Sequence, residues 1–189
     1  MNVVFKGFGF YNVDLAYLQY LNKIDSEVRF DQDKAYDHKP FLGIIVFIEG
    51  RDYLIPLTSG KLKHKTWKNV GEAHYLVYEI VSKKDLRPKD IYKPYSPTEV
   101  MKVLAALDIK KMIPVKEGVY SAINFDLLED KKYADLLEKE YRFCQKIQDG
   151  ILAKAKQIYF EQKLTGKVHN MYCNFAKLEA ACDTYQRPE

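Results

Sequence analysis

"FLGIIVFIEGRDYLIPLTSGK", residues 41–61, decides the fold. Residues 41–48 form a nearly continuous apolar run, Glu49-Gly50-Arg51-Asp52 is a turn, and residues 53–57 form a second short run. Two such runs around a glycine-bearing turn make a β-hairpin. Apolar residues at successive positions of the first run mean that both its faces are covered, which places it inside a sheet. The second run delivers Thr58, Ser59, Gly60 and Lys61 into a basic stretch holding Lys63, His64, Lys65, Lys68 and the chain's single tryptophan, Trp67.

Outward from the hairpin, residues 3–11 read as a strand punctuated by Gly7 and Gly9. Asp14 caps a helix over 15–24, with Leu15, Leu18 and Leu21 at helical spacing. Residues 25–40 are polar and read as a loop that ends before Pro40. Residues 75–81 read as another strand, and 82–95 as a proline-punctuated connection. Ser96-Pro97-Thr98-Glu99 carries the signature of a helix start, with a cap, a proline at the first turn and a glutamate three residues on. It predicts a helix to about Leu107, followed by a strand over 109–115. Residues 126–164 have a helical period that Gly150 kinks or divides, and Gly166 follows as a terminating glycine. Asn174 caps a last helix to about Tyr185. Strands in the first two thirds and helices in the last third predict a single α+β domain over residues 1–189, with an antiparallel sheet and a helical C-terminal third.

Composition narrows the classes. The 189 residues are 47% hydrophobic and 30% charged, with a net charge of +4, which permits a nucleic-acid partner without demanding one. Fifteen tyrosines supply core packing and, where exposed, stacking faces. Cys144, Cys173 and Cys182 lack metal spacing and fit a reducing, cytoplasmic setting. No stretch approaches the roughly 20 apolar residues of a membrane span, and no secretory leader is evident.

Familiar catalytic motifs fail at 58–68. A phosphate-binding loop needs glycine at position 55 and a hydroxyl residue at 62, where Ile55 and Leu62 stand. Ser59 and Lys61 are two apart, not the three of a Ser-x-x-Lys pair. The four histidines show no zinc-protease spacing. No acidic cluster is evident that would carry two metal ions. What remains is an anion site. Thr58 and Ser59 offer hydroxyls, Lys61 a positive charge, and Lys63, His64, Lys65 and Lys68 contacts to flanking phosphates, with Trp67 as a stacking face. If the ligand is RNA, its own 2′-hydroxyl is the nucleophile. Lys61 suits stabilisation of the extra charge on the transition-state phosphorus, and His64 is the nearby acid–base candidate. The residues alone leave open a catalytic site, a non-catalytic RNA-binding module, a protein-interaction domain and a merely solvated basic loop. Lys154, Lys156, Lys163 and Lys167 are candidates for a second basic surface.

The order of short motifs is more specific than any one of them. Tyr17-Leu18-Gln19-Tyr20-Leu21 comes first, then Lys39-Pro40-Phe41-Leu42-Gly43-Ile44-Ile45-Val46 and Gly50-Arg51-Asp52-Tyr53-Leu54-Ile55-Pro56-Leu57-Thr58-Ser59-Gly60-Lys61. Lys111-Met112-Ile113-Pro114 and Cys173-Asn174-Phe175 follow. In this order the chain resembles the endoribonuclease toxins of type III toxin–antitoxin systems, the ToxN/AbiQ group of abortive phage infection. The resemblance implies a compact, strongly twisted antiparallel sheet of the MazF/Kid kind, an SH3-like barrel core with added helices. It implies cleavage of adenine-rich RNA without a metal or other cofactor, leaving a 2′,3′-cyclic phosphate. It also implies inhibition by an RNA pseudoknot cut from a tandem-repeat transcript, in a cyclic protein–RNA assembly. By position it puts Thr58, Ser59, Lys61 and Lys39 in the active site and Tyr17 among the RNA contacts.

Overall fold

The computed structural model describes residues 3–30 and 41–187. The hairpin forms as the sequence expects, with tighter ends. β2 (Leu42–Ile48) and β3 (Arg51–Ser59) pair antiparallel from Gly43 opposite Pro56 to Ile48 opposite Arg51. Only Glu49 and Gly50 remain between them, with φ of 48° and 85°. Two positive φ values in a two-residue loop make the tight turn whose twist matches that of the flanking strands. β1 (Val3–Val13) lies on the other side of β2, with an irregularity between Phe5 and Phe10 where Gly7 has φ 71°.

β3 branches, and this curls the sheet. Beyond β2, its free edge pairs first with β7 (Ile113–Val115), then, over Leu57–Ser59, with β6 (Glu99–Asp108). β6 in turn lies between β4 (His74–Ser82) on one edge and, on the other, β3 and β5 (Ile91–Pro94). β8 (Tyr120–Ala122) extends the opposite end beside β1. Every pairing is antiparallel, in the order β4-β6-β3-β2-β1-β8. The helices α1 (Leu15–Ile24), α2 (Lys131–Lys146), α3 (Gln148–Thr165) and α4 (Phe175–Thr184) pack with this sheet into a single large core. This is the curled antiparallel α+β architecture that the sequence reading anticipated.

The predicted helix over 96–107 is a strand. Residues 100–107 are buried except for Lys102, because β6 is a central strand covered on both faces. A continuous apolar run is compatible with either element, and helix-favouring Ala105 and Ala106 yield to the pairing on both edges. The Ser96–Glu99 signature is real but closes the β5–β6 turn. The Glu99 N–H donates to Ser96 Oγ at 3.0 Å, and the Ser96 N–H to the Glu99 carbonyl at 3.1 Å. The predicted 109–115 strand begins with a 3-10 turn at Ile109–Lys111, and only Ile113–Val115 is extended. The 126–164 helical segment divides at Ile147, not Gly150. Gly150 instead lets α3 approach Tyr75, where a Cβ would stand 2.5 Å from the phenolic oxygen. Gly166 does end α3, at φ 66°, and Asn174 does cap α4.

Side-chain alternation separates two apolar layers. Tyr75, Val77, Leu104, Ala105 and Leu107 face the main core, whereas Leu76, Val103 and Ala106 form a smaller cluster with Trp67, Tyr78 and Ile91. The basic segment after β3 is therefore anchored by Trp67 on the outer side of β4 and β6. Burying a side chain such as Leu76 there is worth roughly 1.5–3 kcal/mol.

Candidate functional site

The site begins where β3 leaves the sheet. Thr58 and Ser59 pair with Ala106 and Ala105 of β6. Successive strand residues face opposite sides, so the two hydroxyls diverge. Thr58 is half-buried and its Oγ1 donates to the Ala106 carbonyl at 3.3 Å, whereas Ser59 is exposed. Gly60 binds the chain to β6 once more, its N–H donating to the Leu104 carbonyl at 2.8 Å. A Cβ at Gly60 would stand 2.7 Å from the Val103 carbonyl oxygen. The glycine is thus required for close contact with β6, and its N–H is not available to an anion.

Lys61 follows in extended conformation with an exposed side chain, and Leu62–Lys65 make one 3-10 turn. The sequence reading offers His64 to RNA and to proton transfer, but the structure buries it completely. Its Nδ1 accepts the Lys61 N–H at 3.0 Å, and its own N–H donates to the Lys61 carbonyl at 2.8 Å. Burial, aided by Lys63, Arg29, Lys61 and His74, pushes the imidazole down to about 4. A buried, neutral ring does not reach a phosphate, so His64 belongs to the frame of the loop.

Trp67 is half-buried between His64 and His74, with ring centroids at 4.7 and 4.5 Å. The Lys63 and Lys110 ammonium groups stand 5.3 and 5.9 Å from its ring centroid. Trp67 is therefore the post around which the cations are arranged as much as a stacking face. Lys65 stands 5.0 Å from the Tyr92 ring centroid, and that ring is exposed. Lys68 is exposed, its carbonyl fixed by His74 Nε2 at 2.9 Å, and Lys93 bonds the Trp67 carbonyl at 2.7 Å and Asn69 Oδ1 at 2.9 Å.

Two residues from distant parts of the chain join this rim. Arg29 pairs with the fully buried Asp108, and Lys110 stands two residues beyond the end of β6. Burial first, then Arg29, Lys61 and Lys110, pull the Lys63 ammonium below its usual value, which locates these cations together. Nothing local in the sequence around Arg29 or Lys110 marks them; the ion pair with Asp108 brings in Arg29, and the β3–β6 pairing brings in Lys110.

Tyr17 is corrected. It is fully buried, its hydroxyl donating to the Pro114 carbonyl at 2.8 Å and its ring packed on Tyr185 at 4.8 Å, so it holds α1 to the sheet and presents nothing to RNA. Lys39 lies outside the described residues. Of the four lysines proposed for a second surface, Lys163 is paired with Glu179 at 2.7 Å and Lys154 stands 5.3 Å from the Tyr75 ring centroid, leaving Lys156 and Lys167. No group of three or more His, Cys, Asp or Glu side chains placed to hold a metal occurs among the described residues. No helix among them is long and apolar enough to cross a membrane.

A curled antiparallel sheet thus ends one strand in two divergent hydroxyls and a lysine, inside a rim of cations, and comparisons with known proteins give the class of such a protein: an endoribonuclease toxin. The model of the toxin ToxN family of type III toxin–antitoxin systems matches residues 9–183, and the chain belongs to that family. It is 27% identical over 188 residues to an endoribonuclease ToxN of Bacillus thuringiensis subsp. kurstaki, covering 94% of this chain and 84% of the relative. It is 28% identical over 171 residues to an endoribonuclease ToxN of Pectobacterium atrosepticum, covering 90% and 89%. Two solved structures share the fold. One comes from a type III system in which a non-coding RNA pseudoknot selectively inhibits the toxin, with TM-score 0.68, 24% identity and coverage of 92% and 95%. The other is AbiQ, a lactococcal anti-phage endoribonuclease of the type III class, with TM-score 0.61, 18% identity and coverage of 93% and 95%.

Proposed function

We propose that this chain cleaves RNA at the end of β3 by attack of the substrate's own 2′-hydroxyl, with no metal ion. The 2′-oxygen bonds to phosphorus as the bond to the 5′-oxygen breaks. The products are a 2′,3′-cyclic phosphate and a 5′-hydroxyl, the 2′ proton leaving to a base and the 5′-oxygen taking one up. The phosphorus passes through a state more negative than the diester, so fixed cations and hydroxyls lower the barrier. Ser59 and Lys61 bind and steady the non-bridging oxygens. Thr58, tied to Ala106, fixes the strand end. Lys39 is the fourth member by resemblance, and Lys63, Lys65, Lys68, Trp67 and the newly found Lys110 and Arg29 hold the flanking chain.

One observation carries this reading: Ser59 and Lys61 stand exposed on a strand end whose backbone is locked to β6, amid cations rather than carboxylates. Fixed cations of this kind suit electrostatic stabilisation of the reacting phosphate. The preference for adenine-rich sites follows from the resemblance, and Tyr92 beside Lys65 supplies a face for a base. We further propose that a repeat-derived RNA pseudoknot inhibits the chain by occupying this rim in a cyclic assembly, and that the protein works in the cytoplasm. The three free, buried cysteines suit that compartment.

Ser59→Ala and Lys61→Ala test it. Each variant should fold with unchanged circular dichroism and lose about 10²–10³ in cleavage rate, the typical cost of one such donor. Wild-type cleavage by either one removes that residue from the site, and RNA binding without any product from the wild type makes the chain a non-catalytic module.

A further inference from the structure

His64 holds both backbone polar groups of Lys61. Its Nδ1 takes the Lys61 N–H at 3.0 Å, and its own N–H returns to the Lys61 carbonyl at 2.8 Å. A backbone N–H only donates, so Nδ1 carries no proton and the ring proton sits on Nε2. The ring is fully buried and packs at 4.7 Å on Trp67. Immediately upstream, Gly60 is pinned to the Leu104 carbonyl at 2.8 Å. The backbone from Ser59 to Lys61 is therefore fastened at both ends, to β6 through Gly60 and to the 3-10 turn through His64.

We infer that His64 is a positioning residue: by accepting the Lys61 N–H it fixes the direction in which the Lys61 ammonium leaves the strand end, two residues beyond Ser59. The inference rests on the proposed role of Lys61 at the reacting phosphate. Misplacing a charge by about an ångström costs on the order of 10²-fold in rate without a matching loss of binding. Proton transfer by His64 itself is incompatible with the geometry. Adding a proton to Nδ1 sets two donors face to face, and burial among Lys61, Lys63 and Arg29 opposes the charge.

The discriminating variants use side-chain shape. Asparagine places an acceptor near the position of Nδ1, whereas glutamine reaches toward Nε2 and phenylalanine offers no acceptor. Single-turnover cleavage of a short oligoribonucleotide and affinity for its uncleavable 2′-deoxy analogue are measured for His64→Asn, His64→Gln, His64→Phe and Lys61→Ala. His64→Asn should retain cleavage within about tenfold of wild type and the same pH–rate shape from pH 5 to 9. His64→Gln and His64→Phe should lose about 10²-fold in rate, with affinity changed by less than about threefold. Thermal melting separates unfolding from misplacement, and the His64→Asn result stands even if the phenylalanine variant melts early. A His64→Asn protein that is folded and as slow as His64→Phe, or that loses one limb of the pH profile, overturns the inference. So does full activity in all three His64 variants. Undiminished cleavage by Lys61→Ala contradicts the reading of the site itself, whereas inactive Lys61→Ala with fully active His64 variants contradicts only the positioning role.

Discussion

Asp108, at the end of β6, is fully buried and takes the guanidinium of Arg29, 79 residues earlier in the chain. The pair joins the segment after α1 to the strand that fixes Thr58 and Ser59, and it holds a cation at the rim. Removing one partner of a buried pair leaves the other charge without compensation, which typically costs 3–5 kcal/mol. Arg29→Ala should therefore lower unfolding free energy by roughly 3 kcal/mol, read by urea denaturation. A loss under about 0.5 kcal/mol, the size of an ordinary surface substitution, shows that the pair contributes little.

The rim should register in salt dependence. Single-stranded nucleic acids release counterions on binding, with a log–log slope near −0.7 for each phosphate neutralised. Lys63 and Lys110, gathered around Trp67, belong to this set. Affinity for an uncleavable 2′-deoxy analogue, measured across salt concentrations, should lose about 0.7 of slope for each of Lys63→Gln and Lys110→Gln. An unchanged slope removes that lysine from the interface.

Glu140 gives a pH-dependent signature of the fold rather than of the site. It is buried on α2 on the same face as Cys144, and burial pushes its carboxyl up from 4.5 to about 8. The same burial, with Glu140 adding to it, raises the Tyr133 hydroxyl and the Cys144 thiol. Between those two pH values the unfolded chain releases the Glu140 proton while the folded chain keeps it. Stability therefore falls as pH rises from about 4.5 to 8 and is flat with respect to this group above that. Glu140→Gln, which cannot ionise, should match wild type near pH 4 and exceed it by roughly 3–5 kcal/mol at pH 7–8, from about 1.4 kcal/mol per pH unit. Parallel stability profiles for the two proteins contradict the assignment.

The hairpin and the α+β layout were legible because their signals are local: a glycine turn between apolar runs, Asp14 and Asn174 as caps, Gly166 as a stop. β6 was not, because a doubly covered strand and a buried helix write the same apolar run, and because the Ser96–Glu99 hydrogen bonds serve a turn as well as a helix start. Thr58, Ser59 and Lys61 were visible as hydroxyls and a charge after an apolar strand. His64 was visible but misread, since a histidine among lysines looks available until its acceptor role at the Lys61 N–H is seen. Tyr17 had a better signal than the one used. With Leu18 and Leu21 it lies on the buried stripe of α1, spacing that marks a core position. Arg29 and Lys110 had no local signal, for their place at the rim depends on an ion pair and a strand pairing between segments far apart in sequence.

The central claim is that the end of β3 cleaves RNA with hydroxyls and lysines alone. Purified protein is incubated with a defined adenine-rich oligoribonucleotide in excess EDTA, and the 3′ ends of the products are analysed. The account predicts undiminished cleavage with 2′,3′-cyclic phosphate ends. Inactivity until magnesium or manganese is supplied, or products bearing a 3′-hydroxyl, would contradict it.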